Sequence, residues 1–176
     1  MGLLSRIFGR GGREQAVAQG TSEYTPADVY SGLRSQILAL KPNDLGLRDN
    51  RPFAVLMETG YEKAVATLVV IADGTTSLYF SSGGGVIGAG EHAPVRAAAA
   101  DFLADVAGIA DRLQATTDCP LPNRGRVCFY LLSGDGIRTA EASEQDLGHN
   151  RHELSPVFHS GHAVITAVRV NTDASQ

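Results

Sequence analysis

The stretch Tyr79–Arg96, YFSSGGGVIGAGEHAPVR, decides what kind of sheet this chain builds. Five of the eight residues from Gly83 to Gly90 are glycine, and Pro94 follows closely. Proline suits the first turn of a helix, where no N–H partner is lost, and clashes with the preceding turn deeper in. The spacing therefore starts a helix after the last glycine. Gly83-x-Gly85-x-x-Gly88 matches the dinucleotide-binding fingerprint in letters. That fingerprint, however, needs a parallel strand–helix–strand unit whose helix opens inside the glycines. The phosphate-loop pattern fails too, because Ala89-Gly90 stands where Lys and Ser or Thr are required.

Two readings of the run remain. In the structural one, glycines supply positive φ and close backbone approach as the chain leaves a sheet edge, and Val86 and Ile87 plug into the core. In the functional one, amides at the helix start hold an anion such as a phosphate or carboxylate. Ser81, Ser82, Gly83, Gly84, Gly85, Gly88, Gly90, Glu91, His92 and Arg96 then form the candidate ligand site. Arg96 supplies charge, and His92 a donor or base near neutral pH.

Upstream lie three apolar runs. Phe53 to Glu58 alternates, with Phe53, Val55 and Met57 on one side. Lys63 to Ala72 is rich in β-branched residues and predicts a central strand. Asp73-Gly74 is a strong hairpin signal, and Thr75 to Phe80 returns. These make an antiparallel meander. Before it, Thr25 as N-cap and Pro26 at the first position open a helix carrying Val29, Leu33, Ile37 and Leu40 at helical spacing, ended by Lys41-Pro42.

Downstream, Val95, Ala99, Phe102, Leu103, Val106, Ile109, Ala110 and Leu113 predict an amphipathic helix. A loop over 116–125 leads to a strand, Arg126 to Ser133, a Gly134-Asp135-Gly136 turn and a returning strand, Ile137 to Ala142. The final segment reads as helix by the phase of Leu154, Val157, Phe158, Gly161, Val164, Ile165 and Val168, or as strand by its AVITAVRV stretch. The phase held through Gly161 favours helix.

The expected fold class is α+β: one five-stranded antiparallel sheet, in the order α-βββ-α-ββ-α, with helices packed on it. It occupies a single domain, 25–170, after an N-terminal segment, 1–24, and before a tail, 171–176. This order resembles that of class I type III secretion chaperones and related bacterial regulator domains. The resemblance implies helices on one antiparallel sheet and a dimer that binds protein. The glycine stretch and the GRVCFYLLSGDG hairpin are similar to those of small uncharacterised bacterial proteins, which carry no activity over.

A net charge of −4 argues against a nucleic-acid partner, which calls for a basic stripe. Cys119 and Cys128 form neither CxxC nor a zinc spacing, which fits a reducing, cytoplasmic setting. Cys119, with Arg124 as its one basic neighbour, is a thin candidate nucleophile, and no Ser-His-Asp set or GxSxG motif is visible. His149/His152 and His159/His162 stand three apart, but no further ligand joins them in a metal pattern. They read as exposed polar residues, with no metal or cofactor expected.

Opposite the apolar face of the helix after the glycines lie Ala97, Ala100, Ala104, Ala107 and Gly108. Small residues admit a second backbone, so this is the candidate homodimer surface, although alanine is also the best helix former on a solvated face. No run is long enough to cross a membrane. Leu3, Leu4, Ile7 and Phe8 share one helical face within residues 2–10, with Arg6 and Arg10 towards the other. The segment reads either as a plain terminus or as a weak membrane-surface or partner-docking peptide. The leading expectation is a non-enzymatic, dimeric, chaperone- or adaptor-like protein-binding domain. The rival is a small-molecule or anion-binding protein using residues 81–96.

Overall fold

The computed structural model describes residues 25–173. The chain runs α1 (Asp28–Ala39), β1 (Ala54–Gly60), β2 (Val65–Ile71), β3 (Thr76–Phe80), β4 (Gly85–Val86), α2 (Ala93–Gly108), β5 (Gln114–Thr116), β6 (Arg126–Ser133), β7 (Gly136–Ser143), α3 (Glu144–Gly148) and α4 (Ser155–Asp173). All seven strands join one sheet in the order β4-β3-β2-β1-β6-β7-β5, and every pairing is antiparallel. The helix after the glycines begins at Ala93, beyond Gly90, as Pro94 requires.

The order is α-ββββ-α-βββ-α-α where the sequence predicts α-βββ-α-ββ-α: the sheet has seven strands, not five, and a short extra helix, α3, precedes α4. The two extra strands, β4 and β5, are edge strands of two and three residues without an apolar pattern, so periodicity does not reveal them. Three further boundaries differ. α1 starts at Asp28 with Ala27 in the cap position: the Ala27 carbonyl accepts the Ser31 N–H at 3.0 Å, and its own N–H bonds the Ser81 carbonyl at 2.8 Å. α2 ends at Gly108, a poor helix former, and Ala110–Arg112 continues as a 3-10 turn. α4 is helical, as its phase predicts, and runs on to Asp173, past the expected domain limit at residue 170.

Both faces of the sheet are covered. α2 and α4 pack together on one, where Val55, Met57, Leu68, Val70, Phe129 and Leu131 meet Val95, Phe102, Val106, Val157, Val164 and Val168. Contact is closest at Gly161, where an added Cβ would lie 2.6 Å from Met57 Sδ. α1 lies on the opposite face, over Leu56, Val69, Tyr79, Cys128 and Tyr130. This double cover explains why β1 and β2 are buried along their whole length. Fully burying one large apolar side chain contributes about 1.5–3 kcal/mol, and the α2–α4 face buries more such side chains than the α1 face, so it forms the larger part of the core.

The stripe that α1 turns inward differs from the expected one. Tyr30 is 2% exposed, whereas Val29 is 64% exposed. Ile87, expected as a core plug beside Val86, is 66% exposed, since alternation along the short β4 segment turns it away from the core.

Candidate functional site

The glycine run is a piece of chain geometry first. Gly83, Gly84 and Gly85 have φ of +98°, +81° and +142°. Gly83 N–H bonds the Phe80 carbonyl at 2.9 Å and Phe80 N–H the Gly84 carbonyl at 3.1 Å, which folds β4 tightly back onto β3. An added Cβ at Gly85 would run into the Leu78 carbonyl, and one at Gly90 into the Gly74 carbonyl of the Asp73-Gly74 turn. Five glycines are needed for turning and close approach alone.

The run does not form one site. Ser81 is fully buried and its Oγ accepts the Val65 N–H at 2.7 Å, a strand-end bond. Ser82 is exposed on the turn. His92 sits at the α2 N-cap position without a side-chain capping bond. Gly88, Gly90, Glu91 and Arg96 gather with Asp73, Gly74 and Thr75 around a shallow hollow of about 270 Å³. Arg96 Nη2 donates to the Glu91 carbonyl at 3.3 Å, and two carboxylates share the hollow with this one guanidinium. The formal charge around the hollow is therefore net negative. Two of the glycine amides expected to cradle an anion are engaged within the fold, Gly83 N–H with the Phe80 carbonyl at 2.9 Å and Gly88 N–H with Ser77 Oγ at 3.4 Å.

Gly83, Gly84 and Gly85 instead form one wall of a groove of about 160 Å³ whose other wall is α1. Tyr30, Leu33 and Tyr79 line its inner side, with the Tyr30 and Tyr79 rings edge to face at 5.6 Å. Val29, Phe80 and Ile87, exposed by 64%, 38% and 66%, stand around its mouth. The Tyr79 hydroxyl is buried without a hydrogen-bond partner, and burial followed by the Glu58 charge pushes its pKa up to about 12.

The α1 wall is held by an ion pair that sequence reading missed. Arg34 Nε and Nη2 reach Glu58 Oε1 and Oε2 at 2.7 and 2.8 Å, and Nη2 also donates to the Cys119 carbonyl at 2.8 Å. Glu58 is fully buried on β1; Thr67 Oγ1 donates to it at 3.2 Å, and Thr67 bonds the Tyr30 hydroxyl at 2.9 Å. The guanidinium also lies 5.7 Å from the centre of the Tyr130 ring. Burial alone would lower the Arg34 pKa, but the Glu58 bonds and charge outweigh it and raise it. The available signal was spacing: Tyr30, Leu33, Arg34, Ile37 and Leu38 form one helical stripe with a charge in its middle.

A larger polar hollow of about 590 Å³ opens beside β7, where Gln114, Cys128, Tyr130, Glu141, His152 and Glu153 contribute. Two of its carboxylates are paired, Glu141 with Arg126 at 2.6 Å and Glu153 with Arg112 at 3.7 Å, while Asp118 also lines it. Burial, then the Glu141 charge, pushes the Cys128 thiol up to about 12, and burial also raises Cys119. Neither thiol is a thiolate near neutral pH, so neither is activated as a nucleophile. Among the described residues no group of three or more His, Cys, Asp or Glu is placed to hold a metal ion. His159 Nε2 meets Asn150 Oδ1 at 3.0 Å, and His162 is half-buried against Phe158, contrary to the exposed reading.

On α2, Ala97, Ala100, Ala104 and Gly108 are exposed and Ala107 is half-buried. Ala100, Ala104 and Ala107 line, with Pro52, Val70 and Leu103, an open hollow of about 420 Å³ beside α2. No helix among the described residues is long and apolar enough to cross a membrane. Residues 2–10 lie outside the described residues. In comparisons with known proteins, the chain matches no protein-family model, no curated protein and no solved structure.

Proposed function

We propose that this chain is a protein-docking domain, chaperone- or adaptor-like, that holds an apolar segment of a polypeptide in the groove between α1 and the glycine-rich loop. One observation carries the reading. Of five large hydrophobic residues exposed among the described residues, Val29, Phe80 and Ile87 surround this single groove. Apolar side chains gathered at one concave place mark an interaction surface, whereas scattered ones do not. The rival anion reading has weaker support, because Asp73 and Glu91 crowd Arg96.

The geometry favours a helical guest. β4 is two residues long and the three residues before Val86 are glycines at positive φ, a poor template for adding a strand. An amphipathic helix needs only apolar anchors three or four residues apart. A cavity of about 150 Å³ takes one benzene-sized group, so one large anchor enters and its neighbours rest on Val29, Phe80 and Ile87. Arg34 and Glu58 keep α1 in place as a rigid wall, which limits the ordering cost of binding.

The test is peptide display selection on the full chain, with affinities measured by fluorescence anisotropy. Selected peptides should carry apolar pairs at helical spacing, and Ile87→Asp should weaken them by about tenfold or more, as burying an unpaired carboxylate requires. Peptides that bind wild type and Ile87→Asp equally would remove the reading.

A further inference from the structure

We infer that the groove's resident occupant is residues 3–8 of the same chain, with Phe8 as the anchor, so that the protein covers its own docking site until a partner displaces the segment. This inference rests on the docking reading above and names what competes there. Three observations converge on it.

The first is position. The described chain starts at Thr25, two residues before Ala27, whose N–H bonds the Ser81 carbonyl at 2.8 Å and whose Cβ stands 4.0 Å from where a Gly83 Cβ would be. The point where residues 1–24 attach is thus close in the chain to Ala27, which stands beside Gly83 of the groove wall.

The second is pattern. Leu3, Leu4, Ile7 and Phe8 form the apolar cluster of the first 24 residues, at the spacing a helical guest needs. Arg6 and Arg10 fall towards the other side of that helical phase. Asp28, exposed beside Val29 on α1, forms no ion pair with any described residue and offers them a carboxylate. The groove, at about 160 Å³, matches one aromatic ring.

The third is reach. Residues 9–24 are sixteen residues, and a connection of that length spans about 50 Å at full extension. It returns to a groove at its own starting point without strain. A tether of this kind holds the segment at an effective concentration on the order of millimolar, so weak intrinsic affinity suffices for high occupancy. An outside partner then binds with an apparent affinity reduced by the fraction of grooves left open.

The experiment uses full-length chains and a fluorescein-labelled peptide of residues 2–12. The Phe8→Asp chain, its own segment disabled, should bind the peptide, and wild type should bind it about tenfold more weakly or less. Phe8→Asp combined with Ile87→Asp should not bind it. Hydrogen exchange of wild type should show residues 3–8 protected, and Ile87→Asp should remove that protection while the amides of β1, β2 and β6 stay slow, which certifies the fold. Equal peptide binding by wild type and Phe8→Asp, or no protection of residues 3–8, overturns the inference. A concentration-dependent dimer dissolved by Phe8→Asp overturns it in favour of a second copy's segment. Flotation of wild type but not Phe8→Asp with phosphatidylserine vesicles, without peptide binding, overturns it in favour of a membrane contact. If the peptide fails while display-selected peptides still depend on Ile87, this inference is lost and the docking reading stands.

Discussion

The two faces of this sheet are held by different chemistry. On the α2–α4 face the packing is apolar and close, down to Gly161 admitting Met57 and Phe102 against the α4 backbone. On the α1 face a carboxylate, a guanidinium, a threonine and three tyrosines occupy the middle of the layer, and its outer end is the open groove. The apolar face supplies non-directional stability. The polar face supplies direction: a bidentate guanidinium–carboxylate pair fits one placement of α1, and that placement sets the width of the groove.

Breaking the pair is the strongest way to test this contrast. Arg34 and Glu58 side chains are 13% and 0% exposed. Arg34→Ala leaves a buried carboxylate without its cation and should cost about 3–5 kcal/mol in urea unfolding. Arg34→Met with Glu58→Leu should recover most of that, since a well-packed apolar replacement is often neutral or stabilising. The double variant should nevertheless bind groove peptides less well, because apolar contacts do not fix the α1 position as one directional pair does. A cost for Arg34→Ala below about 1 kcal/mol, the range of exposed pairs, would erase the distinction between the faces.

A smaller effect separates two tyrosines of the polar face. The Tyr30 hydroxyl bonds Thr67 Oγ1 at 2.9 Å, whereas the Tyr79 hydroxyl is buried without a partner. Tyr30→Phe should lower stability by about 1 kcal/mol, the net worth of an ordinary hydrogen bond. Tyr79→Phe deletes an unsatisfied polar group and should leave stability unchanged or raise it by up to about 1 kcal/mol. Equal losses in the two variants would mean that both hydroxyls are satisfied in solution.

The same contrast explains what the sequence discloses. The α2–α4 face was legible, because Val95, Ala99, Phe102 and Val106, and Val157, Phe158, Gly161, Val164 and Val168, keep helical phase and are all buried. On α1 the expected Leu33, Ile37 and Leu40 pack inward, but Tyr30 is buried where the sequence predicts Val29, and Arg34 looks like a solvent residue until Glu58 is known to face it. Glu58 likewise looks like the polar end of an alternating strand, yet it is buried. Charges that cancel across 24 residues of sequence leave no periodic trace. The groove was half visible. The glycines mark a candidate site in the sequence, but Val29, Leu33, Phe80 and Ile87 come together only because β4 folds back beside α1. The expected anion loop divides between two hollows, Gly83 to Gly85 on one and Gly88 to Arg96 on the other.

The smallest predicted effect lies on the apolar face, where one titratable ring interrupts it. The His162 ring lies 4.3 Å from that of Phe158, and its Nε2 is buried without a partner. Burial first, and the charge of His159 second, lower its pKa from the usual value. The unfolded chain, with histidine near pKa ~6.5, therefore binds the proton more readily than the folded one. Stability from this group is fully present above about pH 6.5 and is lost as pH falls towards the lower folded pKa. Calorimetry between about pH 7 and 5.5 should show a falling Tm in wild type and a flatter profile in His162→Phe, which keeps the ring contact and removes the titration. The carboxyl of Asp49, held below its usual range by hydrogen bonds from Arg51, titrates beneath that window and does not confuse the slope. If the two profiles run parallel, the imidazole is hydrated in solution, and the α2–α4 face is less dry at its α4 margin than its apolar lining implies.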